Sequence, residues 1–178
     1  MIKLNPKSNP KEFIRNLSAD EAFLVLQKLY LENPDLEKVI CKTALKVISN
    51  VDAEEIANDL YYDLGELDLD DLFARSGRNQ YGYVDPNDES WVMFEEVVEP
   101  YICEMEKYNK RKLPHIVKEY CIGIIDGLIE FKKEPNTDFY DWIQDAPLDH
   151  ISYVVDCYKK TKPDMKDLEE ITKKVEEL

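Results

Sequence analysis

The chain has 178 residues, 44% of them hydrophobic and 34% charged, and a formal net charge of -15. A chain of this size forms one domain and buries about 70% of its unfolded surface, so folding requires neither a disulfide nor a metal. The charge disfavours nonspecific binding to DNA or RNA, which depends on cationic side chains that neutralise phosphates, unless these gather in a local basic patch, and it disfavours anionic membrane surfaces. A basic protein partner is compatible with it.

No apolar run approaches the roughly 18 residues that span a bilayer. The opening Met1-Ile2-Lys3-Leu4-Asn5-Pro6 turns polar at once, unlike a secretory signal. Cys41, Cys103, Cys121 and Cys157 are scattered, form no Cys-x-x-Cys pair and each sit inside a helical apolar pattern. The expectation is four buried, reduced thiols in a cytoplasmic protein.

In chain order, Asn9-Pro10 opens a short helix with Phe13, Ile14 and Leu17 inward. Ser18 caps the next helix, and Glu21 three residues on completes a capping box. Its expected buried face is Ala22, Phe23, Leu26, Leu29 and Tyr30. Asn33-Pro34 restarts the chain into a third helix, polar only along Lys38, Lys42, Lys46 and Ser49. A helix apolar around more than half its circumference is expected to be covered on two sides. Asp52 with Glu55 starts a fourth helix carrying Ile56, Leu60, Tyr61 and Leu64, and Asp68 to Ser76 adds one or two helical turns before a polar loop.

The largest feature is a helical hairpin over 86–132. Asp85 caps it, and Pro86 suits the first helical position because no amide hydrogen is needed there. Trp91, Phe94, Val98, Tyr101, Met105 and Tyr108 recur at spacings of three and four, which places them on one stripe. Pro100 lies within that stripe and predicts a kink, since the pattern continues in phase beyond it. The return helix, from about Pro114 to Lys132, carries Val117, Cys121, Ile124, Leu128 and Phe131. Gly123 and Gly127 stack one turn apart, a notch for close packing with Trp91 or Tyr101 as expected occupants. Beyond Glu134-Pro135-Asn136, short helices carry Phe139, Trp142 and Ile143, then Leu148, Ile151, Val155 and Tyr158. A last helix runs over 164–178. The expected fold is all-α: about eight helices in antiparallel pairs, either a helical-repeat-like layer or an irregular bundle. It forms a single domain over 1–178, with 137–178 as a small appendage.

Two histidines exist. His115 stands four residues before Glu119, a spacing commoner as a surface pair than as a metal site, and His150 reads as a surface residue. Glu95, Glu96, Glu99, Glu104 and Glu106 lack the Glu-x-x-His pattern of dimetal bundles and read as the solvated side of their helix. The acidic run Asp63 to Asp71 lacks the glycine and register of a calcium loop. No phosphate loop, nucleotide fingerprint, nucleophile elbow or triad pattern is present, so no metal and no cofactor is assigned. The most unusual cluster is Arg75, Arg78, Tyr81 and Tyr83, which holds two of only 4 arginines in the chain. With Asp85 and Trp91 it is the candidate binding site, because arginine and tyrosine on a glycine-bearing loop suit an anionic group or a protein contact.

Leu29-Tyr30-Leu31-Glu32-Asn33-Pro34-Asp35-Leu36, and Gly82-Tyr83-Val84-Asp85 before an acidic amphipathic hairpin, resemble helical regions of prokaryotic proteins that carry SWIM-type zinc fingers. The resemblance covers Ala19 to Phe131. The finger itself, Cys-x-Cys with a later Cys-x-His, is absent. The resemblance therefore implies a helical-repeat fold and a scaffold role, and carries over neither zinc nor nucleic-acid binding. The expected function is a non-catalytic, cytoplasmic helical protein that binds a protein partner. The alternative is an enzyme or a small-molecule or anion-binding protein with its site near Arg75 to Asp85.

Overall fold

A computed structural model describes residues 10–80 and 82–176. Among them are nine α-helices and one two-stranded sheet, so the chain is all-α, as its periodicities require. It divides into two compact units, Met1–Asn50 and Val51–Leu178.

In the first unit, α1 (Pro10–Arg15), α2 (Ala19–Glu32) and α3 (Glu37–Ile48) are joined by short links, the second containing a 3-10 turn at Pro34–Leu36. The capping box forms as the sequence requires. Ser18 Oγ accepts from the Glu21 amide at 3.2 Å, and Glu21 Oε2 accepts from the Ser18 amide at 2.9 Å. The expected burial does not follow. No residue of α1, α2 or α3 is buried, and Phe23, Leu31 and Val47 are 64%, 68% and 74% exposed. Three short helices have too little volume to enclose a core of their own.

The second unit holds α4 (Ala53–Gly65), α5 (Leu69–Arg75), β1 (Gly77–Asn79), β2 (Gly82–Val84), α6 (Pro86–Lys110), α7 (Pro114–Lys133), a 3-10 turn (Asp138–Trp142), α8 (Ala146–Lys160) and α9 (Met165–Glu176). The hairpin of α6 and α7 forms, but the hub is α7 alone, with α4, α6 and α8 all packed on it. Its buried residues, from Ile116 to Phe131, occupy most of its circumference. This makes the unit a bundle around a central helix. Phe139, Ile143, Ile151, Val154 and Tyr158 join the same core. Thr137 fixes the chain between α7 and α8 by donating to the Leu67 carbonyl at 2.7 Å.

The glycine notch is occupied by α4 rather than by Trp91 or Tyr101. A Cβ at Gly123 would stand 2.6 Å from Ile56 Cβ and 2.8 Å from the Ala53 carbonyl oxygen; one at Gly127 would stand 2.8 Å from that of Ala57. Tyr101 instead donates to Asp63 Oδ2 at 2.5 Å, tying α6 to α4. α6 runs unbroken through Pro100. That proline is exposed, so water can take the place of the missing amide.

Three further expectations are corrected. The polar loop is a β-hairpin with Gly77 opposite Val84 and Arg78 opposite Tyr83. Gly77 (φ 90°) and Gly82 (φ 143°) take backbone angles that side chains disfavour, and strands of 3 residues each are too short for alternation to be visible. His150 is buried, at 9% exposure. Of the cysteines, Cys121 and Cys157 are buried, whereas Cys41 and Cys103 are exposed. No helix of the described residues is long and apolar enough to cross a membrane.

Candidate functional site

The six residues singled out by sequence divide among three places. Arg75, in the last turn of α5, lies 2.6 Å from Glu96 and 3.9 Å from Glu89, so α6 takes up its charge. Arg78 and Tyr83 face each other across the β-hairpin, both exposed, Tyr83 at 70%. Asp85 caps α6, its Oδ1 accepting from the Asn87 amide at 2.8 Å. Tyr81 lies outside the described residues. Trp91 is half-buried and stands apart from the others, in a groove between α6 and α8.

That groove has a volume of about 570 Å³. From α6 it takes Trp91, Val92, Glu95, Glu96 and Glu99, at spacings that keep them on one helix face. From α8 it takes Asp149, His150 and Tyr153. The His150 ring lies 6.4 Å from both Trp91 and Tyr153, and edge-on to Phe94 at 4.8 Å, which packs it into the wall beneath the groove. Its Nδ1 meets the Ala146 carbonyl at 3.1 Å. A carbonyl only accepts, so Nδ1 carries the hydrogen and Nε2 is the ring's free position, 3.9 Å from Glu95 Oε1.

The rim carries four carboxylates: Glu95, Glu96, Glu99 and Asp149. Arg75 compensates one of them through Glu96. Glu99 accepts from the Cys103 thiol at 3.4 Å, which raises the thiol's pKa and keeps it protonated. The Tyr153 phenol is held above its ordinary range, first by its hydrogen bond to Cys157 and also by Glu99 and Glu106. A neutral phenol keeps an electron-rich face toward the groove. Three rings beneath a carboxylate rim are an arrangement that can attract a cation. The rings attract it through their quadrupoles, the carboxylates through charge, and the walls displace water.

Trp91 was legible in the sequence, but its neighbours were not. Asp149, His150 and Tyr153 share a face by spacing alone, yet nothing local says that α8 lays that face along α6. In the acidic run Asp63 to Asp71, Asp68 caps α5 and Asp63 receives the Tyr101 hydroxyl. Among the described residues no group of three or more histidines, cysteines or carboxylates converges as a metal site. Compared with protein-family models, curated proteins and solved structures, the chain matches none.

Proposed function

We propose that this chain is a non-catalytic protein-interaction module whose α6–α8 groove receives a lysine or arginine side chain from a basic segment of a partner. The observation that carries this reading is the placement of Trp91, His150 and Tyr153 beneath Glu95, Glu99 and Asp149. An arginine stacked on tryptophan contributes about 0.5–2 kcal/mol, and its guanidinium can then reach a rim carboxylate with two hydrogen bonds. Long-range charge acts the same way. Residues 51–178 hold 15 basic and 32 acidic residues, a field that draws basic segments in and repels nucleic acid. Four free thiols suit the reducing cytoplasm, and a scaffold role agrees with the family resemblance noted above. An anion site near Arg75 to Asp85 is disfavoured because Arg75 is already bound by two glutamates.

The test is calorimetric titration with a tri-arginine peptide, with a triglutamate peptide as control. The tri-arginine peptide should bind, and Glu95→Gln with Glu99→Gln should weaken binding about tenfold with unchanged melting, since both side chains are exposed. No binding, or equal binding by the variant, would overturn the proposal.

A further inference from the structure

A second cleft, of about 820 Å³, opens where the α6–α7 loop meets the α8–α9 loop. The two loops are alike. Each helix ends with a lysine in the left-handed region, Lys112 at φ 58° and Lys162 at φ 59°, a conformation that favours glycine. Both lysines line the cleft and neither forms an ion pair among the described residues. The helix ends that converge here are basic: Lys107, Lys110, Arg111 and Lys112 on one, Lys159, Lys160 and Lys162 on the other. These seven are nearly half of the 15 basic residues in 51–178.

The cleft also receives the N-terminus of α7. Leu113 provides no side-chain cap and Pro114 has no amide, so the amides of His115 and Ile116 lack a helical partner. An independent feature points to a ligand. Tyr158 lines the cleft and is 2% exposed, and its hydroxyl makes no hydrogen bond to any described residue. The hydroxyl is not sealed in the core, and its surroundings are Asp167, Lys118 and Glu170 at the cleft wall. The Tyr158 residue is nearly buried while its hydroxyl opens toward the cleft without a protein acceptor, a position that a bound oxygen would complete.

Asp164 and Asp167 also line the cleft, but both are engaged. Asp164 Oδ1 accepts from the Lys166 amide at 3.0 Å and caps α9. Asp167 accepts from Lys118 at 2.7 Å. Lys118 gives a second hydrogen to Glu170 at 2.7 Å and keeps a third. With one oxygen of each aspartate engaged, the cleft's unspent donors are Lys112, Lys162, one Lys118 hydrogen, the Tyr158 hydroxyl and two backbone amides.

We infer that this cleft binds the phosphate group of a phosphorylated small molecule, held by Lys112, Lys118, Lys162, Tyr158 and the first amides of α7. A phosphate has enough acceptors for this donor set, and the volume beyond it accommodates a small organic group.

The probe is inorganic phosphate, titrated into the full chain at constant ionic strength and followed by amide NMR. Saturable shifts are expected at His115 and Ile116. Tyr158→Phe keeps the packing and should weaken binding about tenfold, as loss of a charge-assisted bond does. Lys112→Gly with Lys162→Gly should also bind at least about tenfold more weakly while melting at the same or a higher temperature, because glycine suits both loop positions. Absence of a saturable shift in the wild-type chain overturns the inference, and so does undiminished binding by either variant.

Discussion

Gly127 concentrates the packing of the second unit in one atom that is not there. Its α-carbon faces the backbone of α4, and an added methyl would stand 2.8 Å from the Ala57 carbonyl oxygen, which cannot rotate away. Alanine would gain about 1 kcal/mol of helix propensity. The overpacking costs about 1–3 kcal/mol, so Gly127→Ala should lower the denaturation midpoint, measured with urea. A higher midpoint would mean that α4 moves away freely. Cys103 offers a test of local electrostatics. Glu99 raises the pKa of its exposed thiol, so Glu99→Gln should release more thiolate and speed maleimide labelling at neutral pH, read by peptide mass spectrometry. Cys121 and Cys157 should stay unlabelled in the native protein. The caps at Ser18, Asp52 and Asp85 were legible because each acts within three residues of itself. The burial of His150 was not, because Phe94 and Trp91 reach it from another helix.

At the scale of elements, the apolar period located every long helix, but it did not say what each helix meets. α4 and α7 show this most clearly. The glycines announced a close neighbour, and any apolar helix in the chain could have filled the notch. The β-hairpin left no period to read, since its strands are three residues each. In α2 and α3 the pattern overstated burial: a broad apolar face requires a covering surface, and the first unit contains none. This predicts a stability gradient between elements. Amides of α2 and α3 should exchange with deuterium orders of magnitude faster than those of α7, whose openings require loss of the core. Equal protection of α2 and α7 would contradict the exposure of Phe23, Leu31 and Val47.

For the whole molecule, titration and charge set behaviour. Burial pushes Tyr120, Tyr158 and Cys121 up to about 12. Their unfolded values are lower, near 10 for tyrosine and about 8.5 for cysteine. The folded state thus holds protons that the unfolded state releases. This stabilisation is complete below the unfolded values and is lost as pH rises toward 12. Melting temperature should therefore fall steadily from about pH 9 upward, followed by circular dichroism; a flat alkaline profile would show the phenols and the thiol to be solvated. Charge is uneven along the chain: residues 1–50 hold 8 basic and 6 acidic residues, whereas the remainder is strongly acidic. The groove lies in the acidic part, and this supports a basic partner over an acidic one. The chain has two tryptophans, and they make the decisive measurement possible. Trp91 lines the groove, whereas Trp142 packs against Phe73 at 5.7 Å. In a titration with tri-arginine followed by NMR, the indole resonance of Trp91 should move saturably while that of Trp142 stays in place. A stationary Trp91 resonance, or equal movement of both, would contradict the assignment of the α6–α8 groove as the site that receives a basic partner.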